Sequence, residues 1–360
     1  MRILYYLERW SVGGIEAVVC NIISTLVKSR QASVTVVAHI VEDGKYTDEL
    51  RKMGVNLIEL SGRIRHPSNI RLFKKHIEEF HYDLIHVNAF QGLSLRFLAL
   101  ARRAGIGIRI AHSHGAGLRR STLSPVKTVL SKIGRVWLKH ATELLAVSEE
   151  AGRFLFGRSA FTVVPNGIEA EKYTYSESKR LSARSELGIG DEIVLGSVGR
   201  FSEEKNQGYL LDVLENCENT RVRLLLVGDG PTLATVRGSA EQRGLADRVI
   251  FAGVREDVGD LLCAMDVFLF PSTAEGFGLA AVEAAANGLT VIASEAIPRS
   301  ALVGKSTVLP LSDPAKWAQE ALNAVKEPGN REAGVNTVIE SGLTSDSVAE
   351  KIIHLYGESV

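Results

Sequence analysis

Val267-Phe268-Leu269-Phe270-Pro271-Ser272 and, after Thr273-Ala274, Glu275-Gly276-Phe277-Gly278-Leu279-Ala280-Ala281-Val282-Glu283 set the reading of this chain. The first run is continuous and apolar, as expected of a buried strand leaving a sheet. From Leu279 to Asn287 the pattern turns helical. A strand therefore ends, two glycines allow a tight turn, and a helix begins. The first turn of a helix carries unpaired N–H groups and a partial positive charge, which suit a phosphate or diphosphate. Gly276 and Gly278 lack a Cβ, so a ligand can approach the backbone closely.

Two carboxylates flank this turn. Glu275 sits in it, and Glu283 follows eight residues later in the helix. Helical side chains lean toward the N-terminus, so Glu283 is expected to reach back to the ligand. Carboxylates accept hydroxyl hydrogen bonds well. Acids on both sides of an anion site suit a ligand with hydroxyls at both ends and phosphates between, as in a nucleotide-sugar. The alternative is a loop glutamate and a solvated helix glutamate.

Composition sets the frame. At 360 residues, 45% hydrophobic and 23% charged, the chain is globular and long enough for two domains. Cys20, Cys217 and Cys263 are scattered, which fits a reduced compartment and excludes a disulfide frame or a metal knot. The apolar start Met1–Leu7 is cut short by Glu8 and Arg9, too early for a signal peptide or a span, and no later apolar run reaches membrane-spanning length. The formal net charge is zero, yet Ser61–His140 holds fifteen Lys or Arg against three acids, Glu78, Glu79 and Asp83. Such a positive face suits lipid headgroups, a phosphorylated substrate or nucleic acid.

Read in order, strands and helices alternate. Arg2–Leu7 is a strand, Ser11–Gly14 a turn, and Ile15, Val18, Val19, Ile22, Ile23 and Leu26 mark an amphipathic helix. Strands are expected at 34–40, 55–60, 84–87, 108–111, 143–147 and 162–164, and helices at 45–53, 69–80, 93–104 and 125–139. Pro165-Asn166-Gly167 is a turn signal, and the polar stretch Glu169–Arg180 is read as the domain boundary. The alternation then resumes, with strands at 192–198, 224–227, 249–252, 267–272 and 290–293, helices at 206–215, 233–243, 258–265 and 279–287, and a last helix at 347–356. Alternation of this kind implies parallel sheets covered on both faces, with ligands at the carboxyl ends of the strands.

Other residues gather at those ends. Arg200 and Lys205, five apart in one loop, could clamp a diphosphate and stabilise its charge as a leaving group. His112 and His114 stand two apart at a strand end and are expected to point to opposite sides, so that one faces the ligand edge. No third ligand has metal spacing, so a zinc site is not expected. Gly228-Asp229-Gly230 lacks the third glycine of a dinucleotide fingerprint, since Leu233 holds its place. No Asp-x-Asp is present. On the helix from Pro125, Val126, Val129, Leu130, Ile133, Val136 and Trp137 form an apolar stripe among Lys127, Lys132, Arg135 and Lys139, with Arg119 and Arg120 just before. It is either a helix docked on the sheet or an amphipathic surface for a membrane interface.

With these motifs in place the chain resembles glycosyltransferase family 4, whose GT-B architecture has two Rossmann-like α/β domains facing a cleft. The resemblance runs end to end: Gly13-Gly14, Ala111-His112-Ser113-His114, Val147-Ser148-Glu149, Val164-Pro165-Asn166-Gly167-Ile168, Gly199-Arg200 through Lys205-Asn206, Gly228-Asp229-Gly230-Pro231, and Glu275 through Glu283. It implies an acceptor-binding domain over 1–168, a nucleotide-sugar domain over 169–345, and a last helix, 346–360, returning to the first domain. It implies retaining sugar transfer without cofactor or bound metal. Arg200 and Lys205 would hold the donor diphosphate, Glu275 the donor sugar and Glu283 the ribose. The backbone at Gly276, Phe277, Gly278 and Leu279 would meet phosphates and sugar, and His114 the sugar at its anomeric carbon. Gly13 and Gly14 would close over the donor, with Asn166, Gly167 and Arg255 among the donor-binding residues. The sequence departs from the family at Leu289-Thr290-Val291, where Leu-Pro-Val is commoner, and at Glu295–Ser300, where a Gly-Gly-x-x-Glu stretch is absent.

The expectation is a cytoplasmic, peripherally membrane-associated enzyme that moves a sugar, from UDP above other nucleotides, to a lipid-linked saccharide in exopolysaccharide, capsule or O-antigen synthesis. Its basic half would meet an anionic membrane, and nucleic acid is not expected as a partner. The rivals are a nucleotide-sugar 2-epimerase of the same fold and a non-catalytic glycan- or lipid-binding relative.

Overall fold

The structure is a computed structural model that describes residues 1–11, 13–28, 32–60, 67–115, 129 and 132–358. The chain divides into two units, Met1–Gly167 with Ser345–Val360, and Ile168–Thr344.

The first unit holds a seven-stranded sheet of β1 (Arg2–Leu7), β2 (Ser33–Ala38), β3 (Asn56–Glu59), β4 (Leu84–Ala89), β5 (Ile108–Ser113), β6 (Glu143–Ala146) and β7 (Thr162–Val163). Their order is β3-β2-β1-β4-β5-β6-β7, and each pairing is parallel. The second unit holds six parallel strands, β8 (Ile193–Val198), β9 (Val222–Val227), β10 (Val249–Gly253), β11 (Val267–Phe270), β12 (Thr290–Ser294) and β13 (Ser306–Leu309), in the order β10-β9-β8-β11-β12-β13. Both faces of such a sheet must be covered, and their residues show it: β1 is buried from Ile3 to Leu7, β4 and β11 throughout.

The strand order reverses between β1 and β4 in one sheet and between β8 and β11 in the other. At such a point the following loops diverge to opposite faces and leave a crevice at the carboxyl edge. The loops after β8 and β11 are the ones that carry Arg200–Asn206 and Glu275–Gly278. The helix Leu279–Ala286 after β11 reads LAAVEAAA. Ala281, Val282 and Ala284–Ala286 are buried, and small side chains let this helix lie close to the sheet.

Several elements differ from the sequence reading. The polar stretch 169–180, read as the domain boundary, directly follows the division between the units at Gly167 and has regular structure of its own. It forms a 3₁₀ turn, Ala170–Tyr173, and the start of the helix Glu177–Glu186. Arg180 and, one turn further along that helix, Arg184 pair with Asp266 at 2.6 and 2.9 Å and cap carbonyls of Cys263, Ala264 and Met265. The helices Glu149–Phe156, Pro314–Lys326 and Gly334–Glu340 and strand β13 were not anticipated. The first two carry side-chain caps, from Ser148 to the Ala151 N–H and from Asp313 to the Lys316 N–H. The helix expected from Asn206 begins at Tyr209, because Asn206 itself has φ 56°. The span 93–104 splits into a 3₁₀ turn, Gly92–Leu95, and the helix Arg96–Arg103.

Much of the basic helix expected over 125–139 falls outside the described residues, as do Arg119, Arg120, Val126, Lys127 and Leu130. Its end, Arg135–His140, is 3₁₀. Arg135 donates to the Leu155 and Phe154 carbonyls at 3.0 and 2.7 Å, and Trp137 packs on the core. Val129, Ile133 and Val136 instead stand 56%, 57% and 54% exposed. The apolar stripe is therefore divided between core and solvent.

The last helix, Ser345–Glu358, groups with the first unit. Asn21 Nδ2 donates to Ser345 Oγ at 3.0 Å, and the Tyr356 hydroxyl lies 2.5 Å from that of Tyr5. Among the described residues no helix is long and apolar enough to cross a membrane.

Candidate functional site

In the second unit the loop after β8 and the turn after β11 meet. Lys205 Nζ lies 2.5 Å from Glu275 Oε1, and the same oxygen accepts from Ser272 Oγ at 2.9 Å. Both side chains are largely buried, at 26% and 11% exposure. The ammonium also sits 5.0 Å from the centre of the Phe270 ring, a cation–π contact that holds it over the strand end. The loop is pinned to the turn by backbone: the Thr273 N–H donates to the Glu204 carbonyl at 2.7 Å, and Asn206 Nδ2 to the Pro271 carbonyl at 3.2 Å.

Gly278 stands at the head of the helix with φ 106° and ψ 52°. A Cβ there would lie 3.1 Å from the Phe270 ring. This glycine is required both by its dihedral and by its neighbour. Behind it Phe277 is buried. Glu283 accepts a hydrogen bond from the Tyr173 hydroxyl at 2.9 Å. Burial pushes its carboxyl above the usual range, while the Tyr173 bond and the nearby Lys205 charge pull the other way. Lys205 thus influences both acids. One cation, two carboxylates and a helix start can receive a ligand that is anionic in the middle and hydroxylated at its ends. Tyr173 was not singled out in the sequence, where it lies in the polar stretch read as the domain boundary.

The other expected donor residues of this unit are placed differently. Arg200 is exposed and makes no side-chain hydrogen bond or ion pair with another described residue; its carbonyl accepts from Gln207 Nε2 at 3.0 Å. The Arg255 guanidinium is engaged by Asp257 at 2.5 and 2.7 Å and by Glu186 at 2.6 Å. It would have to exchange these acids to hold anything else.

In the first unit, Gly13 and Gly14 lead into the helix Gly14–Lys28, and the Gly13 carbonyl accepts from the Ala17 N–H at 3.1 Å. A Cβ on Gly13 would lie 2.6 Å from Glu16 Oε2. Glu16, absent from the sequence reading, is buried with Ser11 Oγ donating to it at 3.2 Å, and burial raises its pKa. Asn166 is buried, its Oδ1 without a hydrogen-bond partner among the described residues, and Gly167 ends the unit.

The two histidines overturn one expectation. β5 persists through Ser113, and alternate residues of a strand share a face. His112 and His114 therefore lie on the same side, their ring centroids 4.1 Å apart. Both are buried. His112 Nδ1 is 3.1 Å from His86 Nε2, and His86 Nδ1 is 2.7 Å from the Tyr356 hydroxyl. His114 Nε2 is 2.8 Å from Asn88 Oδ1. Burial pushes the His112 pKa down to about 3. Burial first, then the facing imidazoles, hold His114 and His86 well below the usual value, so all three rings are neutral. Sequence alone could not find His86, Asn88 and Tyr356, which come from β4 and from the last helix.

Nearby, Glu8 accepts from Gln91 Nε2 at 3.1 Å and from Ser94 Oγ, and burial raises its carboxyl. Among the described residues no group of three or more His, Cys, Asp or Glu is placed to hold a metal ion.

Comparison with known proteins agrees with this architecture. Residues 12–172 match Glycosyltransferase Family 4, and residues 192–327 match Glycosyl transferases group 1. The chain is 30% identical to the putative glycosyltransferase EpsF of Bacillus subtilis, over 99% of this chain and 97% of that one. It is 28% identical to the UDP-Gal:alpha-D-GlcNAc-diphosphoundecaprenol alpha-1,3-galactosyltransferase of Escherichia coli, over 66% of this chain and 63% of the relative. The crystal structure of HepE from Anabaena in complex with UDP and glucose superposes with a TM-score of 0.82 at 21% identity, covering 99% of both chains. The two parallel α/β domains are those of GT-B glycosyltransferases, and the chain belongs to glycosyltransferase family 4.

Proposed function

We propose that this chain moves a hexosyl group from a nucleotide-sugar, a UDP-sugar before others, to a hydroxyl of a lipid-linked saccharide, with retention at the anomeric carbon and without a bound metal. The reading is carried by one observation: Lys205, Glu275 and Glu283 converge on the helix start at Gly278, at the strand-order reversal of the second sheet. A diphosphate at that helix start would receive N–H groups from Gly278 and Leu279 and the Lys205 ammonium. Its arrival would draw Lys205 from Glu275, freeing that carboxylate for a sugar hydroxyl. Arg200, exposed in the same loop as Lys205, would add a second cation against the charge that grows on the departing phosphate. Glu283, held by Tyr173, would take the ribose. His114 is assigned to the donor sugar, and Gly13, Gly14, Asn166 and Gly167 to donor closure, on the resemblance. Arg255 joins the set only if it leaves Asp257 and Glu186.

The acceptor and setting are proposed on two further grounds. A relative's name specifies a diphosphoundecaprenol acceptor, and another, from Staphylococcus aureus, is a capsular polysaccharide biosynthesis glycosyltransferase. The first unit exposes Val129, Ile133 and Val136 together with Lys132 and Lys139, a pairing of apolar and cationic groups that suits an anionic bilayer surface on the cytoplasmic side.

The test is incubation with a panel of UDP- and GDP-sugars, with and without a diphospholipid-linked sugar acceptor. Transfer that keeps the anomeric configuration, resists EDTA and is lost in Lys205→Ala supports the reading. A changed sugar still attached to its nucleotide, formed without acceptor, would identify an epimerase instead. Binding of the panel without turnover would identify a non-catalytic relative.

A further inference from the structure

One helix holds Tyr173 at both ends. Glu283 and Asn287 stand four residues apart on the helix that starts at Gly278, so they share a face. Glu283 Oε1 accepts from the Tyr173 hydroxyl at 2.9 Å, and Asn287 Nδ2 donates to the Tyr173 carbonyl at 2.8 Å. The Asn287 amide is itself oriented by its neighbours. Nδ2 faces a carbonyl, which only accepts, and Oδ1 faces Arg331 Nη2 at 2.5 Å, which only donates. Tyr173 ends the 3₁₀ turn Ala170–Tyr173, and all four residues belong to the unit Ile168–Thr344. The helix thus fixes the phenol, and the phenol fixes the carboxylate.

The two oxygens of Glu283 differ as a result. Oε1 is occupied, whereas Oε2 makes no hydrogen bond with another described residue, and the residue is only half-buried. An ionised carboxylate only accepts, so Tyr173 is the donor to it. Burial raises the Glu283 carboxyl, while the Tyr173 bond and then the Lys205 charge favour the ionised form. An untethered glutamate has rotamer freedom that a ligand must remove on binding; here the fold has removed much of it already.

We infer that Tyr173 is a positioning residue that sets selectivity for ribonucleotides: its hydroxyl holds Glu283 by Oε1, so that Oε2 is presented, already ordered, to the neighbouring hydroxyls of the donor's ribose. This rests on the ribose role proposed for Glu283. Tyr173 acts through the carboxylate and needs no contact of its own with the nucleotide. A ribose offers two adjacent donors to one ordered carboxylate, and a sugar lacking both hydroxyls offers none. The ribose takes no part in bond making, so the contribution falls on nucleotide affinity and KM, and little on kcat.

The experiment is calorimetry on the full chain with UDP and GDP, each beside its 2′,3′-dideoxy form. The wild type is expected to prefer the ribonucleotide by roughly 10- to 100-fold, as hydrogen bonds to a charged group do. Tyr173→Phe keeps the ring and its packing but not the donor. It is expected to lose about tenfold in affinity for the ribonucleotide, to bind the dideoxy form as the wild type does, and to raise the donor KM with kcat nearly unchanged. Glu283→Ala is expected to abolish the preference. Adding Tyr173→Phe to it should then remove nothing more, because the phenol acts only through the carboxylate. A Tyr173→Phe chain that keeps the wild-type preference overturns the inference. So does one that binds both forms less well by the same factor, which is what a merely structural role would give. If the wild type itself shows no preference, the ribose role of Glu283 fails, and the inference falls with it.

Discussion

Lys205 Nζ and Glu275 Oε1 are 2.5 Å apart, although seventy residues separate them in the chain. Their loops leave β8 and β11, neighbouring strands at the point where the order of the second sheet reverses. The pair is its own counter-charge: the cation proposed to hold a diphosphate is satisfied by the acid proposed to hold a sugar.

Removing either partner should therefore damage both fold and function. Lys205→Met leaves the Glu275 carboxylate nearly buried with Ser272 alone, and costs about 2–3 kcal/mol of stability, short of a fully buried pair. Glu275→Gln keeps the shape and costs less. Each should lower sugar transfer at least about 100-fold, the usual loss for one preorganised charge on a departing group. In melting curves the double variant should lose less than the sum of the two singles, because they act on each other. Strict additivity would mean that the pair is not formed in solution.

Gly278→Ala tests the helix start. The added Cβ meets φ 106° and the Phe270 ring at 3.1 Å. A loss of about 2 kcal/mol is expected, with UDP binding weakened because the N–H groups are displaced. A neutral melt with unchanged UDP affinity would show that the turn is not held in this conformation.

The buried histidines give a pH signature. His86, His112 and His114 have folded pKa values below the ordinary one, so the unfolded chain binds more protons as the solution is acidified. Their contribution is complete above about pH 6.5 and is lost as pH falls toward about 3, where His112 titrates. Each can contribute a slope of at most about 1.4 kcal/mol per pH unit in that window. Glu8, Glu16 and Glu283, with raised values, slope the other way, their contribution being lost as pH rises through the folded pKa. Comparing wild type with His86→Gln from pH 4.5 to 7.5 isolates one histidine. The variant should show the shallower rise, and equal slopes would mean that His86 is charged in the folded protein.

The exposed face of the first unit predicts lipid dependence. Wild type should sediment with vesicles containing phosphatidylglycerol, and less at 0.5 M salt than at low salt, as screening shortens the reach of Lys132 and Lys139. The triple change of Val129, Ile133 and Val136 to Ser should abolish the salt-resistant part without altering UDP binding. Sedimentation that ignores both lipid charge and these residues would remove the membrane from the proposal.

Much of this protein was legible in one dimension. Continuous apolar runs and helical spacing placed most of the strands and many of the helices, because burial on both faces of a parallel sheet writes itself into composition. The glycine turns and the spacing of Lys205, Glu275 and Glu283 marked the loops after β8 and β11, which the structure brings together. Spacing said little about the polar Glu169–Arg180 stretch: most of its polar side chains are exposed, yet Arg180 turns onto Asp266 and helix-end carbonyls, and Tyr173 reaches Glu283. What no periodicity could carry was partnership across distance. That Lys205 and Glu275 pair, that His112 and His114 share a side, and that Asn88, His86 and Tyr356 reach them depends on which strands and helices become neighbours. Neighbourhood is fixed by strand order and packing, and a local sequence window contains neither.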